Sequence, residues 1–326
     1  MIGSHRVVIQ NKRVRYDFVI KRNLTIIKGD SATGKTTLVD MIAEAVDNPS
    51  DTSIEITCDK KCYVVRGATW EGQIRTIQDS IVFIDEGNEF VSLAEFASVI
   101  QESDNYYVLV TRQDLPDLPY SVDEIYGIRT SGKYGDLKRT YNEFYRIYTQ
   151  FNSKKIKPHK IITEDSNSGF QFFSGAIAQD SDFRCISANG KSNVFSVAEK
   201  AEAPTLIIAD GAAFGPEMDK IYKLARQNTN LILFLPESFE WMILNAGVIS
   251  SDVYSEKNIA TILDKPEEYI ESRKYFSWER FFTELLVQVT QKTYLRYNKK
   301  KLNPVYLNDK IRDRILAILR DGNIDI

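Results

Sequence analysis

The stretch IIKGDSATGKTTLVDMI, residues 26–42, decides how this sequence folds. It begins with a short apolar run typical of a buried strand, and the residues after Thr36 follow the apolar spacing of a helix. Between them, Gly29 and Gly34 bracket a loop that ends in Lys35 and Thr36, in the pattern G-x-x-x-x-G-K-[ST]. Glycines let backbone amides wrap around phosphate groups, and the positive end of the following helix attracts them. The stretch therefore predicts a phosphate-binding loop between a strand and a helix.

The predicted ligand of this loop is ATP with Mg²⁺. We expect Lys35 to contact the terminal phosphates and the Thr36 hydroxyl to bind magnesium. The residues of the loop expected to contact the nucleotide are Gly29, Asp30, Ser31, Ala32, Thr33, Gly34, Lys35, Thr36 and Thr37.

A second apolar strand is predicted in SIVFIDEG, residues 80–87, and it ends in two acidic residues. We expect Asp85 to bind the same magnesium ion, and Glu86 to be catalytic by orienting or deprotonating the attacking water. The alternative is an edge strand with a solvated acidic end.

A third strand, YYVLVTR at residues 106–112, ends in Thr111 and Arg112. Ligands of parallel sheets bind beyond the carboxyl ends of the strands. Thr111 or Arg112 is therefore a candidate to contact the terminal phosphate. The alternative is an exposed arginine at the end of a strand.

These motifs make residues 1–150 resemble P-loop NTPases of the wider ABC and AAA-like group. The resemblance implies ATP hydrolysis and a homo-oligomer whose sites are completed across subunits. Too few residues separate the two motifs for the helical subdomain of an ABC ATPase, and its L-S-G-G-Q-type signature is missing, so transport is not expected. A small-molecule kinase remains an alternative, since the loop at residues 115–135 carries Arg129 and Lys133.

The second half of the chain alternates between strand and helix patterns four times, starting at KIITE, residues 160–164. Such alternation predicts a parallel sheet covered by helices. The predicted fold class is α/β, with two parallel-sheet domains and a helical C-terminal segment. We place the domains at residues 1–152 and 158–250, and the helical segment at residues 251–326.

Acidic residues follow the strands of this second half, at the sheet edge where sites form. Oxygen ligands suit a hard divalent cation, which can activate water and stabilise charge on a phosphodiester. We predict Glu164, Asp210 and Glu240 as catalytic residues, and Glu164, Asp210 and Glu217 as ligands of Mg²⁺, with Mn²⁺ as an alternative. The other interpretation is that these acids only interact with helix N-termini. Weaker candidates are Asp165, Asp219 and Glu237.

Residues 160–246 resemble the topoisomerase–primase (Toprim) fold, particularly the nuclease-type members of the OLD (overcoming lysogenization defect) family, which join it to a P-loop ATPase. The resemblance rests on Glu164 after the first strand, the turn ANGKSN (188–193) after the second, and Asp210 after the third. It implies nicking or cleavage of DNA, in a protein of defence against phage or mobile DNA. The D-x-D pattern usual in Toprim proteins is Asp210-Gly211-Ala212 here, so a second hypothesis is a nucleotide-controlled switch with an inactive Toprim-like domain.

Composition sets further expectations. No window approaches a membrane span, the N-terminus lacks the apolar core of a signal peptide, and three cysteines do not form a disulfide framework, so we expect a cytoplasmic protein. A net charge of −3 excludes a uniformly basic nucleic-acid binder but leaves room for a local basic groove. Basic clusters lie at residues 154–160 and in YLRYNKKK (294–301), and we interpret both as solvated surface. The expected partners are ATP, nucleic acid (DNA favoured), further copies of the chain and a separate protein partner.

Overall fold

The protein is described from a computed structural model, which describes residues 1–29, 33–131, 139–149, 156–177, 183–249 and 256–326. The predicted contacts Asp30, Ser31 and Ala32, and Lys133 of the kinase alternative, lie outside these residues. The chain divides into two compact units. The first contains Met1–Ile147 and Glu267–Phe276, and the second contains Tyr148–Pro266 and Ser277–Ile326.

Within the described residues, the first unit has one mixed sheet of nine strands and three α-helices. The sheet order is β4-β1-β2-β9-β8-β3-β7-β6-β5. The strands are β1 (His5–Gln10), β2 (Val14–Ile20), β3 (Leu24–Ile27), β4 (Glu55–Thr57), β5 (Lys61–Val64), β6 (Ser80–Ile84), β7 (Tyr106–Val110), β8 (Ile125–Thr130) and β9 (Thr140–Arg146), and the helices are α1 (Lys35–Asp47), α2 (Trp70–Thr76) and α3 (Ala94–Gln101).

The predicted strands β3, β6 and β7 are buried along their whole length. Their continuous apolar runs fit a sheet that is covered on both faces. One cover is α1, whose Leu38, Val39 and Ile42 lie on one helix face and pack in the same core cluster as strand residues such as Phe83 and Val108. Strands β8, β3, β7, β6 and β5 are mutually parallel, so their carboxyl ends meet at one edge.

The prediction of a sheet that is parallel throughout is wrong for this unit, although β2 and β9 also pair in parallel. Strands β1 and β2 are antiparallel, as are β1 and β4, and β8 and β9. The cause is local for β1 and β2, because Asn11 closes the short turn between them: its Oδ1 accepts hydrogen bonds from the Arg13 and Val14 amides at 2.8 and 2.9 Å. A turn of this length permits only antiparallel pairing.

The second unit contains the predicted parallel sheet. Among its described residues four parallel strands pair in the order β11-β10-β12-β13, and helices connect and flank them. The elements are β10 (Lys160–Thr163), α4 (Ser168–Ala176), β11 (Arg184–Ser187), α5 (Val194–Ala198), β12 (Thr205–Ile208), α6 (Met218–Gln227), β13 (Leu231–Phe234), α7 (Phe239–Asn245), α8 (Glu256–Asp264), α9 (Trp278–Thr290) and α10 (Asp309–Asp321).

The strand order reverses around β10, since the chain moves to one side for β11 and to the other side for β12. Such a reversal opens a crevice at the carboxyl ends of the two diverging strands, here β10 and β12. The crevice is where a ligand site is expected in an open α/β sheet.

The C-terminal helices belong largely to this second unit. Helix α9 buries Trp278, Phe282 and Leu286 on one face, and α10 buries Ile315 and Leu319. Trp278 and Phe282 are therefore core residues of the second unit. No described helix is long and apolar enough to cross a membrane.

The segment Glu267–Phe276 returns to the first unit and pairs with its N-terminus. The Met1 ammonium donates a hydrogen bond to Ser272 Oγ at 2.8 Å, and the Ser272 amide donates to the Met1 carbonyl at 2.9 Å. Asn23 Nδ2 donates to the Ser272 carbonyl at 2.9 Å. These bonds make the segment an integral part of the first unit.

Replacing Gly211 by alanine should destabilise the second unit by about 2 kcal/mol or more. A Cβ at Gly211 would lie 2.4 Å from the Leu235 carbonyl oxygen and 2.9 Å from that of Pro236, and these are backbone atoms that cannot rotate away. Urea unfolding followed by tryptophan fluorescence measures the change. The control is Gly72→Ala in α2, where a Cβ meets nothing within 4 Å and alanine should stabilise by about 0.5–1 kcal/mol. Equal midpoints for the two variants would contradict this packing.

Candidate functional sites

The phosphate loop connects β3 to α1, and both of its glycines have backbone angles that favour glycine. Gly29 has a φ of 125° and Gly34 a φ of 90°. Gly34 also packs closely, because a Cβ there would lie 2.7 Å from the Tyr16 hydroxyl, which donates a hydrogen bond to the Gly34 carbonyl at 2.8 Å. Glycine is therefore favoured at both ends of the loop, by backbone conformation at Gly29 and Gly34 and also by close packing at Gly34.

Lys35 is buried in the first turn of α1, and its side chain folds back along the loop. Its ammonium donates to the Gly29 carbonyl at 2.9 Å and to Thr33 Oγ1 at 3.2 Å. The ammonium thus lies within the loop, where it would meet the phosphates of a bound nucleotide.

Thr36 and Asp85 form the second part of this site. Burial raises the pKa of Asp85 and the charge of Asp40 adds to the rise, whereas hydrogen bonds from the Glu86 amide and the Thr36 hydroxyl oppose it. Asp85 follows the end of β6 and Thr36 lies in the first turn of α1, so the two predicted magnesium ligands of this site are close enough to interact. Thr36 and Thr37 are both exposed, as access of a ligand requires.

The predicted base and the predicted phosphate sensor form an ion pair. Glu86 Oε1 lies 2.7 Å from Arg112 Nε, because the neighbouring strands β6 and β7 end side by side. Both side chains are well exposed, and exposed ion pairs contribute little to stability. Thr111 is buried, and its hydroxyl accepts a hydrogen bond from the Gln113 amide at 3.0 Å. Arg112 is thus the candidate with a side chain open to a ligand.

In the second unit, Glu164 and Asp210 meet in the crevice between β10 and β12. Glu164 directly follows β10, and Asp210 lies just beyond β12. The Asp210 amide donates a hydrogen bond to Glu164 Oε2 at 3.2 Å, and Asp210 Oδ1 accepts one from the Phe239 amide at 3.2 Å. Two of the predicted catalytic residues are therefore neighbours.

A small cavity opens beside this pair. Its lining includes Glu164, Asp165, Asp210, Glu240 and Lys299. Glu240 is 1% exposed and lies in the first turn of α7. Of the predicted acidic residues, the cavity thus brings together the three catalytic candidates and Asp165.

The other acidic candidates have different places. Glu217 is buried in the turn before α6 and does not line the cavity, and neither does Glu237. Asp165 accepts a hydrogen bond from the Asn167 amide at 3.0 Å, which ties it to the loop before α4. Asp219 accepts one from the Tyr148 hydroxyl at 2.5 Å.

The carboxylates that line the cavity carry an excess of negative charge. Burial raises the pKa of Glu164 to about 7, and the charges of Glu279 and Asp165 add to the rise. Burial also raises the pKa of Asp210 well above its usual range, with further contributions from Glu279, Glu164 and Glu240. These shifts are those of carboxylates that lack sufficient positive charge nearby.

Sequence reasoning missed the residues that surround these acids, which are Ser168, Glu279, Tyr297 and Lys299. Lys299 Nζ donates to Glu279 Oε1. Burial alone would lower the pKa of Lys299, but the charges of Glu240, Glu279 and Asp210 outweigh it and raise the pKa.

Tyr297 connects two of the elements around the cavity. Its hydroxyl donates to Glu240 Oε1 at 2.7 Å and lies 2.5 Å from Ser168 Oγ. In YLRYNKKK (294–301) buried and exposed side chains alternate, and this alternation is the signal that could have identified Tyr297 and Lys299. The interpretation of the whole segment as solvated surface therefore holds only for its exposed side chains.

The two carboxylates that the cavity could offer to a magnesium ion are Glu164 and Asp210. Within the described ranges, no group of three or more His, Cys, Asp or Glu side chains is arranged to hold a metal ion. Mg²⁺ is nevertheless commonly bound by one or two carboxylates together with waters and substrate phosphates. The second oxygens, Glu164 Oε1 and Asp210 Oδ2, accept no hydrogen bond from the part of the chain that the structure describes.

Comparisons of the chain with protein-family models, with curated proteins and with solved structures found no match.

Replacing Asp210 by asparagine should stabilise the metal-free protein at pH 8 and have a much smaller effect at pH 4, close to the usual pKa of aspartate. The folded protein raises the pKa of Asp210, so the folded state binds this proton more tightly than the unfolded state. The stability from Asp210 is thus present at low pH and is lost as the pH rises through the raised pKa. Asparagine does not titrate, and its Oδ1 still accepts the bond from Phe239.

The measurement is urea unfolding in EDTA, followed by the fluorescence of Trp241 and Trp278 in the second unit. Glu202→Gln is the control, since it removes the charge of an exposed carboxylate from the same unit. Equal destabilisation by Asp210→Asn at both pH values would contradict the charge imbalance.

Proposed function

We propose that this chain is a P-loop ATPase coupled to a metal-dependent nuclease with a Toprim-like domain. The observation that supports it most is the pair of half-buried carboxylates, Glu164 and Asp210, at the strand-order reversal of the second sheet. Holding two neighbouring carboxylates partly out of water is unfavourable unless they bind a cation or other partners. We infer that a divalent cation is that partner.

The first unit would bind ATP through the phosphate loop. The backbone between Gly29 and Gly34 would wrap the phosphates, and Lys35 would exchange its bonds to Gly29 and Thr33 for the terminal phosphates. Magnesium held by Thr36 and Asp85 would neutralise charge on these phosphates. Glu86 would orient the attacking water once Arg112 turns from it to the terminal phosphate, which the exposure of both side chains permits.

The second unit would act on a phosphodiester. Glu164 and Asp210 would hold the cation, and Glu240, positioned by Tyr297, would accept the proton of the attacking water. A bound Mg²⁺ or Mn²⁺ would activate water and stabilise charge on the phosphate. Lys299 adds a fixed positive charge on the cavity wall, where it would stabilise the negative charge that develops on the phosphate.

The arrangement of this site is compatible with the Toprim resemblance. The turn at Asn189 and Gly190 contacts the first acidic residue, because the Gly190 amide donates to the Glu164 carbonyl at 2.8 Å. Ala212, which replaces the second aspartate of the D-x-D pattern, is buried. Glu240 supplies a third carboxylate to the cavity from α7. By the same resemblance we propose DNA as the substrate, a homo-oligomer as the assembly and defence against phage or mobile DNA as the role.

A second candidate is a nucleotide-controlled switch whose Toprim-like domain is inactive. The observation that favours it is Lys299, which places a fixed cation among Asp210, Glu240 and Glu279. A lysine in this position compensates part of the negative charge without metal. In this case the second unit would bind a partner or nucleic acid and would not cut it.

Nicking of supercoiled plasmid DNA with Mg²⁺ or Mn²⁺, with and without ATP, separates the two candidates. We expect metal-dependent nicking by the wild type and by Glu202→Gln, and none by Asp210→Asn. Lys35→Ala should weaken binding of a fluorescent ATP analogue about tenfold or more, because it removes the charge-assisted bonds to phosphate. Absence of nicking by the wild type, with ATP hydrolysis intact, would refute the nuclease and support the switch.

Tyr297→Phe should lower the nicking rate about tenfold and leave the KM for DNA unchanged. The substitution removes the hydroxyl that donates to Glu240 Oε1, so the proposed base is no longer held in position. The matched control is Tyr306→Phe, which removes a buried hydroxyl that donates to the Leu295 carbonyl at 2.6 Å. Equal rate losses in the two variants would show a general effect on packing and would contradict the positioning role.

A further inference from the structure

The loop between α9 and α10 has two faces. We call residues Lys292–Lys301 the basic loop. Leu295 and Tyr297 are buried and Lys299 lines the carboxylate cavity, whereas the side chains that alternate with them are exposed. One face of the basic loop thus belongs to the proposed catalytic site, and the other faces solvent.

The exposed face combines an aromatic ring with positive charges. Tyr294 is 73% exposed, more than any other large hydrophobic side chain of the described residues. The exposed cations around it are Lys292, Arg296, Lys300 and Lys301. None of these four forms an ion pair with a carboxylate in the part of the chain that the structure describes, in contrast to Lys299.

Side-chain hydrogen bonds hold the backbone of the basic loop in place. Asn303 Nδ2 donates to the carbonyls of Tyr294 and Arg296 at 2.9 and 3.2 Å. Asn298 Oδ1 accepts from the amides of Lys300 and Lys301 at 2.9 and 3.2 Å. The exposed side chains are therefore displayed on a fixed backbone.

The loop is also anchored to α4, the helix next to the cavity. The Ser168 amide donates to the Lys299 carbonyl at 2.9 Å, and Gln171 Nε2 donates to the Lys300 carbonyl at 2.9 Å. Because of these bonds, whatever binds Lys300 and Lys301 lies next to the residue that enters the cavity.

We propose that the exposed face of the basic loop binds a single strand of nucleic acid and leads its backbone to the carboxylate cavity. Proteins that bind single strands combine cations that follow the phosphates with aromatic rings on which bases stack. Tyr294 supplies the ring, and Lys292, Arg296, Lys300 and Lys301 supply the charges. The binding of a single strand depends only on the residues of the basic loop. The delivery of a phosphodiester to the cavity also rests on the proposed nuclease function.

The test is the fluorescence anisotropy of a labelled oligothymidine of about 15 nucleotides, in EDTA so that no cleavage occurs. Tyr294→Ala should weaken binding about tenfold, and the double change Lys300→Gln with Lys301→Gln should lower the salt-dependence slope by about 1 to 2. The controls are Tyr269→Ala, which removes a ring that is 44% exposed, and Lys310→Gln, which removes an exposed charge nearby in sequence. Both should bind like the wild type.

Two results would overturn the proposal: binding by the loop variants that equals that of the wild type, or equal losses in the control variants. A duplex of the same length should bind more weakly and lose little in Tyr294→Ala, since its bases are not free to stack; an equal loss on the duplex would refute the single-strand mode. An RNA oligonucleotide in a parallel arm decides which nucleic acid is preferred.

The test also separates this proposal from the nuclease. Asp210→Asn should bind the oligonucleotide like the wild type although it does not nick plasmid. If the wild type does not nick plasmid but the loop variants still lose binding, the nuclease proposal is refuted and the strand-binding proposal is supported. If the wild type nicks plasmid and the loop variants bind the oligonucleotide normally, only the strand-binding proposal is refuted.

Discussion

The second unit depends on one hydrogen bond, from the backbone amide of Asp210 to the carboxylate of Glu164. It holds two half-buried acidic groups together at the point where the strand order reverses. Burying such charges is unfavourable by several kcal/mol unless neighbouring groups compensate. The compensation comes from distant parts of the chain, namely the Phe239 amide, the Tyr297 hydroxyl near Glu240, and Lys299. The loop between α9 and α10 therefore contributes to the electrostatics of the crevice, and the helices on either side of it contribute to the apolar core.

The candidate site of the first unit stabilises its charged groups in a different way. Its candidate site also lies at the carboxyl edge of parallel strands, but it relies on backbone conformation at Gly29 and Gly34. Its charged groups are paired within the site, since Lys35 donates to loop oxygens and Glu86 pairs with Arg112. A ligand that carries phosphates would replace these contacts. In the second unit, in contrast, a cation would relieve a charge imbalance that the fold itself creates.

The sequence predicts those features that depend on neighbours along the chain. The buried strands β3, β6 and β7 and the four strand–helix pairs of the second half are all local patterns, and the structure contains them. The mixed sheet was missed for two reasons: β1 and β4 are distant in the chain, and β1 with β2 and β8 with β9 are consecutive strands that we did not predict to pair as antiparallel neighbours. Tyr297 and Lys299 were missed because their partners are distant in the chain, since Tyr297 is 129 residues from Ser168. Glu217 shows the converse, because an acidic residue near the right strand does not reach the cavity.

The return of Glu267–Phe276 to the first unit limits how the two units can be produced separately. The chain passes between the two units after Ile147, after Pro266 and after Phe276. Neither unit can therefore be produced as one uninterrupted piece of polypeptide. A fragment that ends at Ile147 has no Ser272 for its terminal ammonium, and a fragment that begins at Tyr148 carries a stretch whose hydrogen-bonding partners are missing. Genetic separation of the two halves needs a rejoined chain and not a single truncation.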